Sequence, residues 1–380
     1  MKITDNLLDK DRKYISNPPL RHLYFYITEG CNLACRHCWI SPKFVNGGAN
    51  YKNLPVHVFH DILLEAKPLG LKSVKLTGGE PLIHPEFIDL LNVINKENLS
   101  LVLETNGVRC NRQIALEISK VPNRFVSISL DGSDAQTHEW VRGVEGCFEK
   151  TCNAVRYLSD VHTPPQIIMT LMKHNVHQVE RIIKLAEELG ASSVKFNLVQ
   201  PTARGKSIYR DNFYLPVKEI LKIGKRIENE LAPKTSLRLF FDYPLAFRPL
   251  KDIASGNGCS VCAIHTILGV LASGHYALCG IGSQVPELTF GTALRDSLES
   301  VWTKNETLLE IRNGLPKRLE GICSNCLMKG RCLGSCVAQN YYRTGSLWGP
   351  FWFCELAEKE GLFPATRSIS AVPEAEAHKG

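Results

Sequence analysis

Three cysteines, Cys31, Cys35 and Cys38, share one short loop, Thr28-Glu-Gly-Cys31-Asn-Leu-Ala-Cys35-Arg-His-Cys38. Thiolates are soft ligands suited to zinc and to iron–sulfur clusters. Three of them with no fourth nearby can hold three irons of a [4Fe–4S] cube and leave the fourth open, whereas an electron-carrying cluster normally takes four. Eight more cysteines lie between 259 and 354, in the order Cys259-x2-Cys262, Gly274-x4-Cys279, Cys323-x2-Cys326-x5-Cys332-x3-Cys336 and Cys354. Eight divide into two sets of four. In ferredoxins the last cysteine of a dense run ligates the other cluster. By that parallel Cys323, Cys326 and Cys332 share one cluster while Cys336 points elsewhere. Zinc on the same thiols is the competing reading, and iron and labile-sulfide analysis separates the two. Cys110, Cys147 and Cys152 stand apart and read as buried free thiols.

The segments that must position these thiols alternate between two periodicities. Leu23–Ile27, Ser73–Leu76, Ser100–Leu103, Phe125–Leu130, Gln166–Met172 and Val194–Val199 read as strands. Pro55–Leu69, Pro85–Asn95 and Val176–Leu189 have helical spacing. Six strands alternating with helices through short connections demand parallel pairing, in an open sheet or a partial barrel. In either, function sits at the carboxyl ends of the strands. The first cysteine loop, Thr77-Gly-Gly-Glu-Pro81, Glu104-Thr-Asn-Gly107 and Ser129-Leu-Asp-Gly132 all fall there. Gly78 and Gly79 carry no Cβ, so the backbone can approach a ligand closely, and Pro81 stops its strand. After about residue 250 the texture turns to Gly, Cys and short β pieces, as in a small domain held by metal. The polar tail from Thr366 reads as disordered.

The composition fits a globular protein: 380 residues, 44% hydrophobic, 22% charged and a formal charge of +7. Lys and Arg are spread along the chain instead of forming the stripe of a nucleic-acid binder. The apolar run Ile264–Ala272 is too short to span a bilayer and reads as core. With no apolar signal core at Met1-Lys-Ile-Thr-Asp-Asn, the expected location is the cytoplasm, with no membrane partner.

Together these motifs resemble the radical S-adenosylmethionine (SAM) superfamily, with its CxxxCxxC after the first strand of a partial barrel and its GGEP after the second. The C-terminal cysteine order resembles the SPASM extension of that family. The resemblance implies an α/β fold, a partial (β/α)6 TIM barrel followed by a small Cys-rich SPASM domain. The corresponding division is an N-terminal segment 1–20, barrel 21–235, linker or bridging strand 236–258, SPASM domain 259–362 and a disordered tail 363–380. It implies a SAM-binding [4Fe–4S] cluster on Cys31, Cys35 and Cys38, with SAM held by His37, Gly78, Gly79, Glu80, Ser129, Arg142 and Val199. Gly78 and Gly79 would receive the methionine ammonium. Ser129 and Arg142 would take ribose and carboxylate, and His37 and Val199 would flank adenine. It further implies two auxiliary [4Fe–4S] clusters, one on Cys259, Cys262, Cys279 and Cys336, the other on Cys323, Cys326, Cys332 and Cys354.

By the same resemblance the enzyme cleaves SAM reductively to a 5′-deoxyadenosyl radical. It then oxidatively modifies, for instance cross-links, a ribosomally made peptide or protein side chain. The alternatives are side-chain modification of a haem-pathway tetrapyrrole and a non-catalytic iron–sulfur electron carrier. A carrier needs no SAM site, and Thr77–Pro81 argues against it. The cysteine loop begins at residue 31, which leaves no room for an N-terminal leader-recognition domain, so a peptide's leader is expected to bind either the barrel itself or a separate leader-binding partner, beside a flavodoxin- or ferredoxin-type reductant. Sulfatase-maturing relatives carry Asp after the Cys of GxxxxC; here Gly280 follows Cys279, which disfavours that reaction. Asp242 is the replacement candidate for a general base.

Overall fold

The computed structural model describes residues 17–45, 50–255 and 262–369. The six expected strands form: β1 His22–Tyr26, β2 Ser73–Thr77, β3 Ser100–Thr105, β4 Arg124–Ser129, β5 Gln166–Leu171 and β6 Ser193–Leu198. Each pairs in parallel with the next in chain order. A seventh parallel strand, β7 Arg238–Phe241, adds to β6. On the other edge β8 Ile267–Leu271 pairs in parallel with β1 and continues antiparallel through β9 His275–Ala277 to β10 Thr289–Thr292. One ten-stranded sheet therefore runs without a break across the sequence boundaries at 235 and 258.

The alternation that defines the strands sorts their faces. Leu23, Phe25, Val74, Leu76, Leu101 and Leu103 are buried in the main core. Against them pack helices with apolar residues at helical spacing. These are α1 Val56–Ala66 (Phe59, Ile62, Leu63, Ala66), α2 Phe87–Lys96 (Phe87, Leu90, Leu91, Ile94), α3 Arg112–Ser119, α5 Cys147–Asp160, α6 Val179–Glu188 and α7 Val217–Arg226; α4 Ala135–Arg142 instead buries Thr137, His138, Val141 and Arg142, with Val141 in a separate apolar cluster. The opposite face is polar and aromatic. Lys75 Nζ lies 2.6 Å from Glu104 Oε1 and 4.9 Å from the Tyr24 ring centre, and Lys195 Nζ lies 3.4 Å from Asp242 Oδ2. Such a lining suits polar ligands better than a packed barrel core.

The N-terminal segment ends in the body of the protein: Leu20 is fully buried and the Pro18 carbonyl accepts from Trp302 Nε1 at 2.7 Å. The expected disordered tail needs correction between 363 and 369. Phe363 packs on Phe247 with ring centres 5.8 Å apart. The Arg367 carbonyl accepts from Leu327 N at 2.9 Å, and Ile369 N donates to the Asn325 carbonyl at 2.8 Å. Composition suggested disorder because the order comes from main-chain bonds to a distant loop. Residues 370–380 lie outside the described residues. No helix among the described residues is long and apolar enough to cross a membrane.

Candidate active site

The cysteine loop leaves β1 at Tyr26 and is tied down at both ends. Gly79 N donates to the Thr28 carbonyl and Glu80 N to the Gly30 carbonyl, both at 2.9 Å. On the far side Ala34 N donates to the Arg142 carbonyl and Arg36 N to the Val141 carbonyl, at the end of α4. That helix is capped by Asp134, whose Oδ1 accepts from Thr137 N at 2.8 Å. It terminates at Gly143 with φ of +72°, a left-handed conformation natural to glycine. Gly79 is sterically obligatory, since a Cβ there would lie 1.7 Å from the Gly30 carbonyl oxygen.

Cys31, Cys35 and Cys38 line a cavity of about 210 Å³ together with His37, Gly78, Gly79, Glu80, Ser129 and Arg142. Six of the seven residues expected to hold SAM thus meet the three expected cluster ligands. Val199 does not. It is buried in a small apolar cluster with Val141, Met172 and Ile208, while its neighbour Leu198, together with Ile168, lines the cavity.

The polar side chains have definite tasks. Glu80 is almost fully buried. Its carboxylate accepts from Thr105 Oγ1 at 2.5 Å, Asn106 N at 2.8 Å and Leu82 N at 3.0 Å, so it braces the end of β2 against the end of β3. Burial raises its pKa to about 6 against the lowering effect of those donors. Arg142 is shared between a carboxylate and a cysteine sulfur. Its Nη2 lies 2.7 Å from Asp131 Oδ2 and its Nη1 3.6 Å from Cys35 Sγ. Burial pushes the Cys35 thiol up, while the Arg142 charge pulls it down. Burial also pushes the Cys31 thiol up, reinforced by Cys35 and Glu80, as expected of thiols awaiting a compensating metal. Leu33 N at 3.4 Å and Asn106 Nδ2 at 4.0 Å point donors at Cys31 Sγ. His37 is held neutral, its pKa lowered to about 4 mainly by burial.

Asp131, Asn106 and Arg204 were not singled out from sequence, although Asp131 and Asn106 lie inside the quoted strand-end motifs. Arg204 lines the cavity from beyond β6 and has no sequence signal of its own. Its Nε and Nη2, with His37 Nδ1, Arg142 Nε and Asn197 Oδ1, are buried and make no hydrogen bond among the described residues. Buried polar atoms are normally paired, so this cavity is built for a polar guest.

A second cavity, of about 400 Å³, adjoins the first along Asn197, Leu198 and Gln200. Cys262, Cys332, Cys336 and Asp242 are in its wall. Burial pushes the Cys262 thiol up, and proximity to Cys336 and Cys279 pushes it further, so three of the four expected ligands of the first auxiliary set are neighbours; Cys259 lies outside the described residues. Cys323, Cys326, Cys332 and Cys354 line a small apolar cavity of about 20 Å³, and all of the first three raise the Cys354 thiol beyond the effect of burial. Among the described residues no three His, Cys, Asp or Glu groups close on a point as a single ion requires. Gly280 explains the missing Asp after Cys279: a Cβ there would lie 2.2 Å from a Tyr26 ring carbon. Cys110, Cys147 and Cys152 are buried and free.

A parallel α/β barrel sheet with a three-thiol loop and a glycine cradle at its carboxyl end defines a class, and residues 25–186 match the Radical SAM superfamily model. Residues 25–186 carry a radical SAM domain, and the chain is an enzyme. Over 350 residues it is 27% identical to the AdoMet-dependent heme synthase of Methanosarcina barkeri (strain Fusaro / DSM 804), covering 87% of this chain and 95% of that protein. Over 351 residues it is 25% identical to the mycofactocin maturase MftC of Mycolicibacterium smegmatis (strain ATCC 700084 / mc(2)155), covering 90% and 86%. The fold matches Streptococcus suis SuiB bound to its precursor peptide SuiA, with a TM-score of 0.72 at 17% identity over 89% of this chain and 76% of that one. The cofactors of a radical SAM domain are a [4Fe–4S] cluster and SAM. The three thiols, the Gly78–Gly79 cradle and the unpaired buried donors fit them.

Proposed function

We propose that this enzyme uses SAM to oxidise a side chain of a ribosomally made peptide or protein, for example by cross-linking it. When bound and reduced, the cluster supplies the electron that splits SAM into methionine and a 5′-deoxyadenosyl radical able to remove a substrate hydrogen atom. Cys31, Cys35 and Cys38 hold that cluster. Gly78 and Gly79 admit the methionine end of SAM, and Ser129 and Arg142 serve its ribose and carboxylate. The observation that carries the reading is the joining of the two cavities at Asn197, Leu198 and Gln200. A substrate in the larger one lies between the SAM site and the thiols of the C-terminal region. Cys259, Cys262, Cys279 and Cys336 hold one auxiliary [4Fe–4S] cluster, and Cys323, Cys326, Cys332 and Cys354 a second.

After losing a hydrogen atom the substrate must still shed one electron and one proton. Cys259, Cys262, Cys279 and Cys336 would hold a group able to take up that electron. Asp242, in the same cavity wall and paired with Lys195, is the candidate for the proton. The resemblance to a mycofactocin maturase supports a peptide substrate. A flavodoxin- or ferredoxin-type reductant and a separate leader-binding protein complete the system.

The test is anaerobic incubation of reduced enzyme, SAM and peptides encoded by neighbouring genes. Loss of two hydrogens from a peptide with formation of 5′-deoxyadenosine is expected, and unchanged masses across all of them would refute the reading. Similarity to a heme synthase along nearly its whole length favours a second reading, oxidative modification of a tetrapyrrole side chain. Tight haem-precursor binding with decarboxylation would identify that reaction.

A further inference from the structure

Asp131 is fully buried beside the cysteine loop without touching a thiol. Its Oδ1 accepts from Thr170 N of β5 at 2.7 Å. Its main-chain N donates to His138 Nδ1 at 3.1 Å, and its carbonyl accepts from Asn175 Nδ2 at 3.0 Å. The first of these bonds holds the carboxylate itself and the other two fix the main chain that carries it, while His37 Nε2 lies 3.8 Å from Oδ2. The carboxylate also meets the Arg142 guanidinium, with Oδ2 2.7 Å from Nη2, while the same guanidinium turns Nη1 toward Cys35 Sγ at 3.6 Å. Asp131, Arg142 and Cys35 therefore form a chain of alternating charge once Cys35 is a thiolate.

We propose that Asp131 is a positioning residue that aims Arg142 at the Cys35 sulfur and masks its charge, holding the reduction potential of the cluster on Cys31, Cys35 and Cys38 low. Groups beyond the ligand shell tune a metal site by orienting and polarising its ligands, and cluster potentials respond to net charge and to hydrogen bonds at sulfur. One electron from an external reductant adds one negative charge at the thiolate-bound site, with no proton transferred. A nearby cation favours that reduced form. With Asp131 ionised the Asp131–Arg142 pair is neutral and the electron gains little from it. With Asp131 neutralised the guanidinium stands uncompensated beside the sulfur in a buried site, where charges are weakly screened. Radical SAM cleavage needs a strongly reducing electron, so a low potential is useful.

The inference rests on those three cysteines holding the SAM cluster. The readout is accordingly the EPR signal of the dithionite-reduced holoenzyme that changes when SAM is added, followed by potentiometric titration. In Asp131→Asn its midpoint is expected to move to a higher potential. In Arg142→Gln, which removes the cation and keeps the carboxylate, it is expected to move lower. Asp131→Glu retains the charge and displaces it by one methylene, so its shift should be upward and smaller than that of Asp131→Asn. It carries the test if the neutral variant fails to load a cluster. An unmoved midpoint, or shifts of the same sign in Asp131→Asn and Arg142→Gln, overturns the role given to Asp131. Absence of any SAM-responsive signal in the unaltered enzyme would instead mean that the cluster assignment itself fails.

Discussion

At Gly79 a single hydrogen atom decides whether the site can assemble. A Cβ would sit 1.7 Å from the Gly30 carbonyl oxygen, which is backbone and leads directly into Cys31. Gly79→Ala is therefore expected to cost more than the ~1–3 kcal/mol of ordinary overpacking, measured by urea denaturation, and to lower iron loading. Gly330→Ala, where a Cβ meets nothing within 4 Å, is the control and should be close to neutral. His138 makes a different prediction. It is fully buried, and its pKa is lowered to about 3 by burial first and by Arg142 second. The native state thus refuses a proton that the unfolded chain accepts near the ordinary histidine value of 6.5. Its stabilising contribution is complete above that value and is lost as pH falls toward the native one, at about 1.4 kcal/mol per pH unit for one proton. His37 acts in the same direction. The urea midpoint should fall between about pH 6.5 and about pH 5, and His138→Gln should flatten that slope by one proton's worth. An identical slope in the variant would remove His138 from the account.

The C-terminal segment shows how an element can be ordered by partners remote in sequence. Residues 363–369 bond through Arg367 and Ile369 to Asn325 and Leu327, and Ser368 bridges Cys326. They clamp the loop that carries one thiol of the four-cysteine cavity, and Phe363 helps to wall that cavity. Truncation after Leu362 is expected to cost about 3 kcal/mol, from roughly three main-chain hydrogen bonds at about 1 kcal/mol each. It should also deplete the iron bound by Cys323, Cys326, Cys332 and Cys354. Both are checked by thermal melts and iron analysis. The same contrast explains what was legible beforehand. The six barrel strands are short local β-type runs, three of them (β2, β3 and β4) stopped by Gly-Gly, Asn-Gly and Asp-Gly and the sixth by Pro201, and each forms within two residues of its expected ends. The pairing of β8 with β1 joins His22 to Ile267 and has no local signature. Val199 was misplaced because a strand end read from sequence does not say which of two adjacent residues faces the cavity. Asp131 and Arg204 were overlooked because their importance lies in partners, or in the lack of them, that only the fold brings into view.

For the whole molecule the decisive feature is that the cavity lined by Cys31, Cys35 and Cys38 and the cavity lined by Cys262, Cys332 and Cys336 share one wall. That wall is the carboxyl end of β6, where Asn197, Leu198 and Gln200 border both cavities. On the proposed function SAM cleavage needs only the smaller cavity, while substrate oxidation needs a hydrogen atom presented across the border the two share. The two activities should therefore separate. Gln200→Trp places a large ring at that shared border without altering any cysteine of the first loop. Substrate-free formation of 5′-deoxyadenosine should stay within about twofold of the parent, whereas modified substrate per 5′-deoxyadenosine should fall by about a hundredfold, the scale on which a misplaced reactant loses its attack geometry. Gln200→Asn, which adds no bulk at that border, should retain coupling. Both products can be quantified by mass spectrometry in one reaction. If Gln200→Trp stops SAM cleavage as well, the wall is part of the SAM site and the substrate must approach from another side. If coupling survives the ring, the larger cavity is not the route by which substrate meets the radical.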